Sequence, residues 1–491
     1  MKDCILVFPK ASLDSPTKSV ALAIFYPGAN LESNGFEVEY ADGRFESEER
    51  VFEMCKNAEI VGVSSMTGSQ LHFAKRVLKR VKEYDPKIPT ILGGVHASLL
   101  PEQCVMEPGN LVDFAVVGEG EETTLELVRE IRKGTTDFRH VRGIAFKNKE
   151  GKPVVTERRP FMDPANWPFP MTDKNKRYWH ASARNDDLFY PSSRGCPHRC
   201  RFCYNTVYNC NTWRPMPLEK FEREIDAIVA ECHPKFISVA DDNISRRMDR
   251  IEGVGRVLKK HGITWHTGIR CDYITEEVAG KLDHYGCTGV LLGIESGSDR
   301  VLREAIGKDY ANGVEDIKTC TRNLAKTNIS GFYSFMCNTP TETQEELHAS
   351  MTLAEWIAET DKKARISFFV YAPYPGTALY EYAVRNGFQP PTDFEGWSRI
   401  TLSNPVNSLA ENMYYLAGLR FRGAKGDKTN KNFPGWKRAI IAPFEASAHV
   451  RWKHRYIGNY GFEKAVVKRL FEWASQKVAK DVEAEAENES A

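Results

Sequence analysis

Long apolar runs are missing from this 491-residue chain, and with them any segment of membrane-spanning length. The opening residues, MKDCILVFPK, lead straight into a short apolar stretch. They carry neither the extended apolar core nor the small-residue cleavage site of a secretory signal, so a cytoplasmic location is expected. A surplus of one charge is missing too. The 67 Lys and Arg nearly match the 66 Asp and Glu, and a net charge of +1 gives no field to draw nucleic acid or a membrane surface. The 42% hydrophobic and 27% charged residues fit an ordinary globular protein. Cysteine, though present twelve times, is absent beyond Cys337. In a long chain of a reducing compartment such scattered cysteines are buried or bind metal rather than form a disulfide framework.

What is present is an alternation. Within 1–135, short apolar strands are predicted at Cys4–Phe8 and at 37–40, 60–64, 89–92 and 114–117. Between the third and fourth, Leu71, Ala74, Leu78 and Val81 share one helical face. This predicts a doubly wound, Rossmann-like α/β domain. A proline-rich connector (136–185) follows. Strand-like runs at 236–240, 263–269, 289–296, 329–335 and 366–372, with the one feeding a cysteine loop, give six βα units, a partial barrel over 186–385. Residues 386–475 read as a mostly helical cap rich in aromatic and basic side chains, and 476–491 as an acidic disordered tail.

The chemistry concentrates in SSRGCPHRCRFCYN, where Cys196, Cys200 and Cys203 are spaced C-x3-C-x2-C. Three thiolates on one short loop suit three irons of a cubane, leaving the fourth iron open. Zinc or coincidence are the alternatives, but the second CxxC pair usual for zinc is missing. Asp241, Asp242 and Asn243 fall at the end of the second barrel strand, Arg270 at the third, Glu295 and Ser296 at the fourth, and Thr339 and Pro340 at the fifth. That end of a barrel carries its chemistry, although each residue reads equally well as a rim salt bridge or a helix cap.

The cysteine loop resembles the signature of the radical S-adenosylmethionine superfamily, whose partial (βα)6 barrel matches the strand count. The resemblance implies a 4Fe–4S cluster on the three cysteines. The open iron would chelate the methionine moiety of S-adenosylmethionine, and Phe202, Asp241, Asp242, Arg270, Glu295, Ser296, Thr339 and Pro340 would surround that cofactor. One-electron cleavage would then yield a 5′-deoxyadenosyl radical, which implies an external donor of the flavodoxin or ferredoxin type.

The N-terminal domain carries SSMTGSQ (64–70), GGVHAS (93–98) and VVGEGEE (116–122) at predicted strand ends, where a doubly wound sheet binds ligands. These resemble the cobalamin-binding domain of class B radical S-adenosylmethionine enzymes. The resemblance implies a cobalamin site including Ser65, Met66, Thr67, Gln70, Leu71, Gly93, Gly94, His96, Ser98, Val117, Gly118, Glu119 and Gly120. A D-x-H-x-x-G loop is absent after the first strand, where the chain reads FPKASLDSPTK. No histidine is therefore expected below the cobalt, and 66–71 are expected to lie under it. Loss of cobalamin, leaving a scaffold, is the alternative. A plain nucleotide domain is disfavoured because no G-x-G-x-x-G follows the first strand.

Both domains together resemble the cobalamin-dependent radical methyltransferases. The implied chemistry is methylation of an unactivated sp3 carbon, the methyl passing through methylcobalamin and a second S-adenosylmethionine supplying the radical. The cap is expected to close over the junction, and the enzyme to be a monomer. A small molecule or a peptide is the expected substrate. Trp397, Trp436, Trp452, Trp473, Tyr456 and Tyr460, with Arg451, Lys453, Arg455 and Lys468, are candidates for a peptide groove. A faint resemblance to the glutamine C-methyltransferase of methyl-coenzyme M reductase points the same way. A cyclase or coupling enzyme with these domains, and a non-catalytic sensor, remain the alternatives. The absence of cysteine after Cys337 disfavours auxiliary clusters.

Overall fold

The computed structural model describes residues 2–11, 18–186, 188–244, 247–400, 408–421, 435–458 and 469. The first sheet contains β1 (Cys4–Phe8), β2 (Val38–Asp42), β3 (Val61–Ser64), β4 (Thr90–Gly93), β5 (Phe114–Val116), β6 (Ile144–Lys147) and β7 (Pro153–Val155). Its order is β2-β1-β3-β4-β5-β6-β7, with β1 to β5 parallel and β6 and β7 antiparallel. The strands are short and almost wholly buried, as expected for a sheet covered on both faces. The helix Gln70–Tyr84 puts Leu71, Ala74, Leu78 and Val81 into the core on one face. The helices Leu22–Ser33 and Gly120–Arg132 bury Ile24, Phe25, Leu31, Leu127 and Val128 in a separate cluster. The parallel order 2-1-3-4-5 reverses direction between β1 and β3, and a ligand crevice belongs at that switch point.

The segment read as a connector is more built than its prolines suggest. It supplies β6 and β7, which extend the first sheet, and the helix Lys176–Arg184. Tyr178 and Trp179 of that helix stack on Phe25 at ring separations of 5.8 and 6.3 Å, and Trp179 reaches Tyr190 at 6.2 Å. Aromatic packing thus joins the first domain to the second.

The second domain holds β8 (Phe189–Tyr190), β9 (Ser193–Gly195), β10 (Trp213–Pro215), β11 (Phe236–Val239), β12 (Thr264–Gly268), β13 (Cys287–Glu295), β14 (Ser330–Cys337) and β15 (Arg365–Val370). Six of these form one parallel sheet, β15-β14-β13-β12-β11-β8. This is the expected six-unit partial barrel. β9 and β10 pair as a separate antiparallel ribbon.

The C-terminal region is helical, with Phe394–Ser398, Ser408–Arg420 and Gly435–Lys453. Its position departs from the expectation of a lid. Trp452 meets Phe368 of β15 edge-on at 5.5 Å and Phe421 at 4.9 Å, so this helical pair covers the barrel's β15 side. Phe394 and Trp397 are fully buried in the cluster beneath the helix Gln70–Tyr84. The physical reason is that β15 is an edge whose apolar face needs cover. Tyr460, Lys468, Trp473 and the expected acidic tail lie outside the described residues. Among those described, no helix is long and apolar enough to cross a membrane.

Candidate active site at the junction of two sheets

The cysteine loop is fixed from three sides. Before it, Asp241 takes four hydrogen bonds, from the amides of Ser192 (2.6 Å) and Ser193 (2.8 Å) and from their hydroxyls (2.7 and 2.6 Å). Asp242 accepts from the Gly195 amide at 2.9 Å. Gly195 has φ +84°, and a Cβ there would stand 2.1 Å from the Thr212 carbonyl, so only glycine lets the ribbon close on the loop. Within the loop, the Arg201 amide donates to Ile306 at 2.8 Å and His198 Nε2 lies 2.6 Å from the Tyr273 hydroxyl.

Cys196, Cys200 and Cys203 are half-buried and unpaired by disulfides. Burial pushes all three thiols up, Cys203 to about 12; neighbouring thiols of the trio raise Cys196 and Cys203 further, and Glu295 and Asp309 raise Cys200. Among the described residues no three His, Cys, Asp or Glu side chains gather around a single metal ion. A cubane does not ask for that, because each cysteine holds a different iron. Three converging thiols that resist ionisation without a cation fit the cluster.

The rim residues divide into two groups. Asn243 Oδ1, Arg270 Nη1 and Thr339 Oγ1 are buried with no hydrogen-bond partner at the ends of β11, β12 and β14. Unsatisfied buried polar atoms at three strand ends of one sheet fit a polar ligand such as S-adenosylmethionine. The others are held within the protein. Asp241 is fully engaged by the serines, so its direct work is to shape the loop. Ser296 accepts from the Ser298 amide at 3.1 Å and lies 3.3 Å from the Ser350 hydroxyl. Glu295, at φ +66°, pairs with buried Lys308 at 3.1 Å. Arg270 also pairs with Asp272 and Asp309 at 2.9 and 3.1 Å. Phe202 packs against the cluster of Val301, Ile306, Met336 and Leu379, and Pro340 is exposed. Nothing in the sequence pointed to Lys308, since an isolated lysine reads as surface.

A cavity of about 480 Å³ opens between the carboxyl ends of the two sheets. The first domain contributes Phe8 at the end of β1, Ser64, Ser65, Met66 and Gln70 at and after the end of β3, Gly93 and Gly94 at the end of β4, and Gly118, Glu119 and Gly120 after β5. The second contributes Pro191, Tyr204, Tyr208, Ala240 and Asp242. Gly94 has φ +90°, and a Cβ there would meet the Ser65 carbonyl at 2.6 Å, so these two loops touch backbone to backbone. No Cβ contact lies within 4 Å of Gly93, which leaves its face open to a ligand. This apolar crevice, at the switch point and edged by bare backbone, fits a large planar cofactor such as cobalamin.

Five residues from the sequence set do not line the cavity. Leu71 faces the core under the sheet. Val117 spends its amide on the Gly143 carbonyl. Ser98 ties the β4 and β5 loops together, accepting from the Gly118 amide at 2.9 Å. Thr67 lies 3.0 Å from His96 Nδ1, and His96 is buried against Phe394 and Trp397 at 5.7 and 5.9 Å, which holds its pKa down at about 3. The helix carrying His96 turns its imidazole away from the crevice. Two contributors went unnoticed in the sequence: the helix Leu22–Ser33, through Ile24, Tyr26 and Pro27, and Arg44. The proline inside an apolar run hid the helix.

Comparisons with known proteins agree with this division. The B12 binding domain family matches residues 13–128, and the radical SAM superfamily matches residues 190–354. An uncharacterized methyltransferase of Pyrococcus horikoshii is 30% identical over 359 residues, 72% of this chain and 74% of that protein. The cytidylyl-2-hydroxyethylphosphonate methyltransferase of Streptomyces wedmorensis is 25% identical over 79% of this chain and 83% of its own length. Among solved structures, the cobalamin-dependent S-adenosylmethionine radical enzyme OxsB, with aqua-cobalamin bound, superposes with a TM-score of 0.71 at 16% identity, covering 99% of this chain and 81% of that one. The chain belongs to the cobalamin-dependent radical S-adenosylmethionine methyltransferases.

Proposed function

We propose that the protein methylates an unactivated sp3 carbon of a small molecule held between its two sheets. The observation that carries this reading is the shared cavity, because strand ends of both domains reach one space. When bound, the cluster with S-adenosylmethionine supplies a hydrogen-abstracting radical and cobalamin supplies the methyl group, drawing on an external one-electron donor of the flavodoxin or ferredoxin type. The chain's own part is placement and exclusion. Asp241 and Asp242 set the cysteine loop, the strand-end orphans at Asn243, Arg270 and Thr339 orient the polar cofactor, and Ile24, Tyr26, Phe8 and Phe189 keep the crevice apolar. Bringing reacting groups into one enclosed space replaces a costly encounter between separate molecules.

A small molecule is favoured over a peptide residue such as glutamine because the peptide groove rested on the cap's aromatics. Of the groove candidates, Trp397 and Trp452 are fully buried in packing and offer no groove wall, while Tyr456 is exposed. The S. wedmorensis relative is likewise named for a small-molecule substrate. The test is anaerobic turnover with methyl-labelled S-adenosylmethionine against a panel of small molecules and peptides. Labelled product with S-adenosylhomocysteine and 5′-deoxyadenosine in equal amounts is expected. A product formed with 5′-deoxyadenosine alone and no label moves the chain to cyclisation or coupling.

A further inference from the structure

The ribbon that carries the cysteine loop is also bound to the cobalamin-domain loop after β5. Arg194 of β9 and Arg214 of β10 are paired in register, so their side chains leave the same face. Both reach Glu119. Arg194 donates to it at 2.9 Å and pairs with Glu121 at 2.8 Å, while Arg214 donates at 3.0 Å. The Arg194 guanidinium lies between the rings of Tyr26 (4.4 Å) and Trp167 (4.2 Å), and that of Arg214 covers Phe161 at 3.9 Å. The Tyr208 hydroxyl, from the segment after the cysteines, donates to the Gly118 carbonyl at 3.1 Å.

These four charged side chains are 18%, 12%, 10% and 5% exposed for Arg194, Arg214, Glu119 and Glu121. Two arginines against two glutamates make a neutral group. Desolvation of such a group is compensated only while the planar guanidiniums keep their paired and stacked geometry. Its placement is informative. One end is two residues before Cys196, and the other is the Gly118–Glu121 turn that lines the cavity. An interface needing only adhesion is already served by Tyr178 and Trp179 on Phe25, far simpler contacts in apolar surroundings.

We propose that Arg194, Arg214, Glu119 and Glu121 form a positioning latch that fixes the separation and orientation of the cluster relative to cobalamin. Glu119, which also lines the cavity, spends its carboxylate on this latch. The proposal rests on the chain binding both cofactors, and it adds which residues set the distance between them. Arg194 and Arg214 are positioning residues, acting through the loops they hold.

The test reads distance rather than turnover. The full chain is reconstituted anaerobically with iron, sulfide and hydroxocobalamin, then reduced so that cob(II)alamin and the reduced cluster are both paramagnetic. A fast-relaxing cluster speeds relaxation of the cobalt spin with a steep dependence on distance, seen as a raised half-saturation microwave power. In Arg194→Met, with iron and cobalamin contents unchanged, that power is expected to fall several-fold towards the value of a cluster-free control. Arg194→Lys, which keeps the charge but loses the planar fork, is expected in between. If Arg194→Met does not retain both cofactors, Arg214→Met carries the same expectation. An unchanged half-saturation power in a variant holding both cofactors overturns the proposal and leaves the group as interface adhesive. A wild-type chain that retains no cobalamin overturns it differently, because the class reading then fails first.

Discussion

A thiol that holds its proton to about pH 12 is a poor nucleophile and a poor free thiolate, and Cys203 is such a thiol. Burial does the same to Cys4 and Cys55, which lie in the core of the first domain with no thiol trio around them. What separates the loop cysteines is company, since three thiols on one loop can trade their protons for iron together. Replacing Cys196, Cys200 and Cys203 together with Ala should therefore abolish the cluster, which in the wild type amounts to about four irons per chain. Cys210→Ala, at an exposed site beside Arg158, and Cys337→Ala, in the buried end of β14, should retain the full iron content. Iron and sulfide analysis with the visible absorption of the reconstituted protein checks this. A full cubane in the triple variant would falsify the ligand assignment.

At the scale of elements, the short helix Phe394–Ser398, which follows the barrel, ties back to the first domain. Its Trp397 is fully buried, donates from Nε1 to Gln103 Oε1 at 2.9 Å, and packs with Phe394 around His96. Trp397→Ala should cost about 3–5 kcal/mol, the range for emptying a large aromatic site. The loss should appear as a lowered melting temperature and faster amide exchange in the helix Gln70–Tyr84 packed against it. Protection there equal to wild type would mean that the two elements are independent.

This contact also marks what the sequence could and could not convey. The parallel strands of both sheets were legible because short apolar runs between amphipathic helices leave little choice, and β1 was read to the residue, whereas β6 and β7 were hidden in the proline-rich connector. The cysteine spacing was legible because it is chemistry written locally. The contact of His96 with Trp397 was not legible because they meet across about 300 residues of sequence, and a buried histidine looks in sequence like a ligand. Glu119 was placed in the cobalamin set through the resemblance of VVGEGEE; it lines the crevice, but its pairing with two arginines from the other domain left no trace in the sequence. Lys308 and the helix Leu22–Ser33 left no periodic signal to follow.

Taken as a whole, the molecule opens its crevice where the parallel sheet reverses direction, and the residues lining it would face a bound cobalamin. Phe8, Met66, Gln70 and Arg44 are there, and among the described residues no histidine is. His96 is turned into the core, and half-exposed His72 pairs with Glu395 at 3.3 Å on the outer side of its helix. Gln70 is itself engaged, accepting from the Met66 amide at 2.8 Å and donating to the Pro9 carbonyl at 3.1 Å. Arg44 is bound to Asp42 at 2.6 Å. None of these offers a free imidazole nitrogen to cobalt. The bound cob(II)alamin should therefore give an electron paramagnetic resonance spectrum of the base-off type, without superhyperfine splitting from an axial nitrogen. Met66→His introduces an imidazole on the loop after β3 and should produce that splitting if the loop lies under the metal. Nitrogen splitting in the wild type would overturn the assignment and make His72 the first residue to replace. A Met66→His spectrum that stays base-off would instead move the lower face of the cofactor away from this loop.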